Sequence, residues 1–402
     1  MVAVLCSNSL SNVLIAVAVV ALLAGHFAFA HPLRFPPVAL PLALFFAATV
    51  ISVALSGHIR EGWPGPRKFY LYFVLLLVYS TFRTLLEIRA LVVACAGMMT
   101  LSAVWSLHQF WNKLREARLL ERDFREYYTV ERITGFTSHW MTLSGEEMMV
   151  LLLLSALLFF AARGRFAAAL AAMSALIAVS FLAAYTRSMW MGAALGGGYL
   201  VWLRNRKWLL LAPLPVLLLL WLNPAGIGDR IVSSYRPAGD LDSNQFRVVC
   251  RRAGWEMIMA HPWFGLGPEQ VKAQFMRYIP PDIPRPLPTG AYIHLHNVYL
   301  QYAAERGLPA LLAFLWFLGV MLRDFIRAAR TTPADARERR FVLHGAIAVM
   351  LAALSAGWYE HNLNDGEILT LFLAVCACGY LAADSAVSEP LASRPATHYI
   401  GA

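Results

Sequence analysis

Apolar and polar residues fall in long blocks along this chain, not in the two-residue alternation of a half-buried strand. Eleven apolar blocks lie at roughly 13–30, 37–56, 68–82, 90–110, 144–162, 166–185, 188–203, 207–222, 297–322, 341–357 and 367–383. Each is poor in charge and approaches the ~20 residues that carry a helix across roughly 30 Å of hydrocarbon. Unbroken runs of this kind exclude the alternating signature of a β-barrel. The pattern predicts an all-α polytopic membrane protein of about 11–12 transmembrane helices with one large, partly helical loop. Helices fill 1–222, a polar loop covers 223–297, further helices cover 298–385, and a tail runs over 386–402.

Basic residues in the short connections set the orientation, because basic connections stay in the cytoplasm. Alternate connections hold Arg34; Arg83 and Arg89; Arg163 and Arg165; Arg204, Arg206 and Lys207; and Arg323, Arg327, Arg330, Arg337, Arg339 and Arg340. The other short connections hold only Arg60, Arg67, Lys68 and Arg187. The first set is therefore read as cytoplasmic, which puts 223–297 and the turn 358–366 outside and the tail 386–402 in the cytoplasm. Ala28-Phe29-Ala30 has the form of a signal-peptide cleavage site, but residues 1–12 lack Lys and Arg, so the first block is read as a retained span.

Two polar interruptions carry most of the candidate chemistry. In 111–139, Leu114, Ala117, Leu120, Phe124 and Tyr128 recur at three- and four-residue steps between charged residues, which predicts one interfacial amphipathic helix on the outer surface. In 223–297, Phe246, Val249, Ala253, Met257 and Ala260 form a stripe that predicts a helix ended by His261-Pro262. Gly265-Leu266-Gly267-Pro268 reads as a tight turn, and the prolines from Pro280 to Pro288 as a stiff strap. The loop then delivers His294 and His296 to the start of the next helix, where an imidazole near the membrane surface can accept or give a proton. Arg187 opens another helix beside Trp190, at headgroup depth, where a guanidinium can grip phosphate with two parallel hydrogen bonds. The outer turn from Trp358 to Glu367, with His361, is too polar for a simple hairpin and is read as facing the same cavity.

Composition sharpens this reading. Of 402 residues, 59% are hydrophobic and 14% charged, which excludes a water-soluble domain. A formal net charge of +10 points to an anionic partner at the membrane. Nucleic acid is excluded, because the basic residues are scattered and no binding motif is present. Five cysteines build no disulfide framework or zinc site. Asp240-Leu241-Asp242 has the form of a nucleotide-sugar metal motif but lacks its βαβ context, so it is read as a turn. His294-x-His296 lacks a third metal ligand. Clear internal repeats of the transporter kind are missing.

Taken in order, Arg187, Asn244-Gln245-Phe246-Arg247, Gly254-Trp255-Glu256-Met257-Ile258, His261 to Pro268, His296-Asn297-Val298-Tyr299-Leu300-Gln301 and Glu305-Arg306-Gly307-Leu308-Pro309 resemble the O-antigen ligase and polymerase superfamily. Length and the single outer loop resemble the ligase branch more than the polymerase branch or the protein-glycosylating ligases. The family usually shows twelve spans, one more than the blocks counted here.

The resemblance implies a GT-C-like fold and glycosyl transfer at the periplasmic face of the bacterial inner membrane. The implied partners are a glycan donor on undecaprenyl diphosphate, a lipid A–core acceptor and membrane lipids. It implies His296 as the general base and Arg187 and Arg247 as the phosphate-binding residues, in place of any metal or other cofactor. His294, Arg251, Arg252, Asn297, Tyr299 and His361 are further candidates for substrate binding.

Overall fold

The computed structural model describes residues 1–233, 243–288, 290–384 and 387. Among them the regular structure is helical, with no strand. The main helices are α1 (Asn8–Phe29), α2 (Ala39–Leu55), α3 (Phe73–Thr81), α4 (Leu85–Leu119), α5 (Phe124–Val130), α6 (Trp140–Phe160) and α7 (Gly164–Ala183). They continue as α8 (Arg187–Asn205), α9 (Pro213–Leu222), α10 (Ile227–Val232), α11 (Ser243–Ala260), α12 (Val298–Thr331), α13 (Arg337–Ala356) and α14 (Gly366–Ala383).

Every apolar block becomes helical, though not every block becomes one helix long enough to span by itself. Among the described residues seven helices are long and apolar enough to cross a membrane, and an eighth arises if Arg187–Leu211 and Pro213–Leu222, bent by 48°, form one broken span. The blocks at 188–203 and 207–222 thus join into one bent unit, because Pro213 removes an N–H donor and breaks the run. The block at 68–82 folds as a 3-10 turn followed by α3, which at nine residues is far short of a span. The chain remains an all-α polytopic membrane protein.

The centre of the bundle is α6, α13 and α14, whose side chains are mostly buried. Small residues let the backbones close up: a Cβ on Gly192 would lie 2.6 Å from the Ala352 carbonyl oxygen, and one on Gly196 2.5 Å from that of Ala348. In an apolar solvent such packing, and not hydrophobic burial, holds helices together. At one end Arg34 pairs with Asp384 and Arg89 with Glu338, at the start of α13. The opposite end of α13, about 30 Å away for its 20 residues, leads into the polar turn at Trp358–Asp365. The connections carrying the candidate residues gather at this second end.

The segment 111–139 is not one interfacial helix. α4 runs on to Leu119, Glu121 turns the chain in a left-handed conformation (φ 49°), and Asp123 caps the separate α5 through the Glu126 N–H at 3.0 Å. Leu120, predicted to lie on the apolar stripe, is exposed, whereas Ala117 and Tyr128 are buried against the bundle. In the loop, α11 forms as the stripe predicts, with Phe246, Val249, Ala253 and Met257 buried in a small separate core. Asp240 and Asp242 lie outside the described residues, as does the tail beyond Val387.

Candidate active site

The loop core is fastened to the membrane helices by one close backbone contact. α12 breaks at Gly307 (φ 82°), and the turn from His261 to Pro268 seats against that break. Leu266 and Gly267 donate to the carbonyls of Ala304 and Glu305 at 2.9 Å each, and Leu308 donates to that of Pro262 at 2.8 Å. A Cβ on Gly307 would fall 2.1 Å from the Trp263 carbonyl oxygen, and one on Gly265 2.3 Å from the Glu305 carbonyl carbon. Both glycines are therefore required by close approach.

This seat holds α11 beside the start of α12, where His296 sits. Asn297 caps α12, its Oδ1 accepting from Tyr299 and Leu300 N–H at 2.9 and 3.0 Å. Its Nδ2 donates to the Trp358 carbonyl at 3.1 Å, while Tyr299 donates its hydroxyl to Leu354 at 2.8 Å. Gln301 reaches back to accept from Leu295 N–H at 2.7 Å. These bonds dock the strap against the turn after α13 and leave His296 itself at φ 50°, a left-handed conformation that costs an ordinary residue roughly 1–2 kcal/mol. Asn297 and Tyr299, read from sequence as substrate-binding candidates, here make hydrogen bonds that place the histidine.

His296 faces Glu360, which the sequence reading did not single out. The Nδ1–H of His296 donates to Glu360 Oε2 at 3.3 Å, and Arg247 from α11 pairs with Glu360 Oε1. Burial alone would raise the Glu360 carboxyl, but the Arg247 guanidinium and the His296 hydrogen bond overcome it and hold the group at about 2. Glu360 is thus a fixed carboxylate that keeps the imidazole proton on Nδ1. Nε2 is then the basic nitrogen, and it is enclosed with no hydrogen-bond partner among the described residues. Phe246 meets the ring edge-on at 4.8 Å. His294 lies 3.9 Å from His296 between ring centres, and burial with the neighbouring His296 lowers it to about 4. His361 is buried 5.9 Å from the His294 ring, and burial holds it well below its ordinary range. Both are neutral wall residues at pH 7.

Next to this group stands a cluster of arginines. Arg187, the first residue of α8, is buried and donates from Nη1 to Ser233 Oγ and from Nη2 to Asn244 Oδ1, each at 3.1 Å. Asn244 stands three residues before Arg247 on α11, so the two arginines are brought to one place by adjacent elements. Arg132 and Arg230, also not singled out by sequence, complete the cluster. Burial lowers Arg132 to about 10 and Arg230 to about 8, and the charges of Arg187 and Arg247 add to the effect on both. The remaining candidates stand apart: Arg251 is exposed one turn along α11, and Arg252 forms an exposed ion pair with Asp282 at 2.8 Å.

A carboxylate-held imidazole with a free basic nitrogen can take a proton from a hydroxyl, and crowded guanidiniums can bind and stabilise a phosphorylated leaving group. Among the described residues no three His, Cys, Asp or Glu side chains are grouped as metal ligands. Comparison with curated proteins gives no match. Residues 172–315, from within α7 to within α12, match the protein family described as O-antigen ligase, a match that supports membership of the O-antigen ligase and polymerase superfamily.

Proposed function

We propose that the protein is an O-antigen ligase that transfers glycan from undecaprenyl diphosphate to a sugar hydroxyl of lipid A–core, at the periplasmic face of the bacterial inner membrane. The observation that carries this reading is the junction of His296 and Arg247 through the Glu360 carboxylate, with Arg187 bonded to Asn244 one turn before Arg247 on α11. The acceptor hydroxyl gives its proton to His296 Nε2 as its oxygen attacks the anomeric carbon. The bond from that carbon to the diphosphate oxygen breaks on the opposite face, inverting the centre. Arg187 and Arg247 take up the growing negative charge, a task that needs no metal ion. The low content of basic residues in the short connections at this end, set against those at the opposite end, supports a periplasmic active site.

The test is purified protein with lipid-linked glycan and lipid A–core, products resolved on a gel. Wild type forms the joined product, and His296→Ala lowers turnover by roughly 10²–10⁴ without loss of fold. Near-normal transfer by His296→Ala removes the base assignment. Lengthening of lipid-linked glycan in the absence of lipid A–core replaces the ligase reading with a polymerase.

A further inference from the structure

Two of the clustered guanidiniums have no task in that mechanism. Arg132 follows α5 and Arg230 belongs to α10, yet both converge on one atom, the Tyr185 carbonyl oxygen, which accepts from Arg132 Nη1 and Arg230 Nε at 3.4 Å each. Tyr185 turns the chain between α7 and α8 in a left-handed conformation (φ 54°), which aims that carbonyl inward. Its hydroxyl donates to the Ala225 carbonyl just ahead of α10, so the same residue ties α10 to this corner. Arg132 is steadied further by its Nε–H to Thr129 O at 3.2 Å and by the Trp140 ring 5.0 Å below it.

Arg230 is only 8% exposed, and its two Nη groups make no hydrogen bond to the described residues. They border a polar cavity of about 460 Å³ walled by Arg125, Asn223, Asp229 and Ser233. Ser233 joins this cavity to the site above, since its Oγ accepts from Arg187 and donates to the Arg230 carbonyl at 2.8 Å. The wall also holds three acids: Asp229 accepts from Asn223 Nδ2 at 2.9 Å, Asp123 caps α5, and Glu126 lies exposed in the first turn of α5.

Charge decides what such a corner is for. Arg247 is bonded to Glu360, whose other oxygen serves His296, whereas Arg132 and Arg230 have only main-chain carbonyls as hydrogen-bond acceptors among the described residues. A guanidinium keeps its proton near neutrality, so the lowered values of Arg132 and Arg230 stand first for burial and then for repulsion by neighbouring guanidiniums, a cost that a bound anion offsets. One phosphate diester brings one negative charge, whereas a diphosphate diester brings two.

We infer that Arg132 and Arg230 form a second phosphate subsite, so that Arg187 and Arg247 hold one phosphate of the diphosphate, Arg132 and Arg230 hold the other, and the cavity receives the hydrated groups beside it. This rests on the diphosphate reading above. On glycosyl transfer the electron pair of the broken bond goes to the diphosphate oxygen, which adds a third negative charge to the two of the diester, and the Arg132–Arg230 pair helps hold that leaving group until it departs.

The experiment uses full-length protein in nanodiscs, with farnesyl diphosphate and farnesyl monophosphate as probes. Wild type binds the diphosphate about tenfold or more tightly, the scale of one charge-assisted hydrogen bond set. Arg230→Gln and Arg132→Gln reduce that preference to about twofold or less while changing monophosphate affinity little, whereas Arg187→Gln weakens both probes. Ligand-free Arg230→Gln melts no lower than wild type, because crowding is relieved; a merely structural arginine would lower the melting temperature. Arg230→Lys keeps the charge and gives an intermediate preference. If wild type prefers the diphosphate and both glutamine variants keep that preference, the second subsite is wrong and the function stands. If wild type binds neither probe, the diphosphate reading falls and takes this subsite with it.

Discussion

Glu360→Gln isolates the carboxylate that joins the base to the arginines. Its carboxyl is held at about 2 against an ordinary 4.5, despite burial, which corresponds to roughly 3 kcal/mol favouring the ionised form. One charge pair at about 4 Å and an effective dielectric near 20 is worth roughly 4 kcal/mol, so contacts to Arg247 and His296 suffice to produce it. The amide keeps the shape, removes the charge and permits either tautomer of His296. Because the Nδ1 contact is 3.3 Å, longer than a strong charge-assisted bond, we expect kcat to fall roughly 10²-fold, toward the lower end for general-base effects. The sign of the stability change follows from the lowered value. Wild type carries the Glu360 contribution above the unfolded value near 4.5 and loses it as pH falls towards about 2, while the variant lacks it throughout. Melting curves of purified protein should therefore separate the two by a few degrees at pH 7 and converge in acid. Single-turnover transfer read on gels gives the chemical step. Rates within threefold of wild type, with equal melting temperatures at pH 7, would refute the bridging role.

Three further outcomes are expected. Arg187→Lys should lower transfer at least tenfold, since a lysine cannot reproduce the two contacts at 3.1 Å, and EDTA should leave wild-type transfer unchanged; rescue of an EDTA-treated enzyme by magnesium would return attention to Asp240 and Asp242. Gly307→Ala should give little folded protein on size exclusion, because its Cβ meets a backbone carbonyl at 2.1 Å; a monodisperse, active variant would contradict the close approach. Arg118→Gln with Arg122→Gln, both exposed and clear of the cavity that Arg125 lines, should weaken use of lipid A–core more than use of donor, with a difference that shrinks at high salt; equal effects on both substrates would remove this surface from acceptor binding.

How much of this was legible depended on whether a residue's neighbours lay close along the chain. The apolar blocks announced helices because their period and length are local properties, and α11 formed on the stripe from Phe246 to Met257. Two blocks did not become single long helices: Pro213 divides 207–222, and 68–82, which holds no proline, opens as a 3-10 turn before α3. His296 and Arg187 stood out because each begins a helix. Glu360 lay in a turn marked as polar, but its partners are 64 and 113 residues away, so nothing local singled it from His361. Arg132 looked like one charge among many on an amphipathic face, and Arg230 like one basic residue of a mildly basic loop. Their shared acceptor is a main-chain carbonyl, which every residue possesses and no side-chain pattern reveals.

The seat of the His261–Pro268 turn in the break of α12 divides the site into a stiff wall and a pliable one. The amides of Leu266, Gly267, Val298 and Leu308 are committed to backbone carbonyls on another segment, so hydrogen exchange there should be slow and should report global unfolding. Across the cleft, α10 has six residues and is tied through Tyr185, while α5 has seven and is held by Tyr128, whose hydroxyl donates to the Ala183 carbonyl at 2.7 Å. Exchange at these two helices should be faster by comparison. Two bulky lipids must reach the buried Nε2 of His296, and the route of least resistance lies through the side that opens without tearing main-chain bonds. Tethering α5 to α10 by an engineered crosslink should therefore slow entry of lipid substrates while sparing the binding of small phosphates, a division between traffic and chemistry imposed by two glycines at the opposite wall.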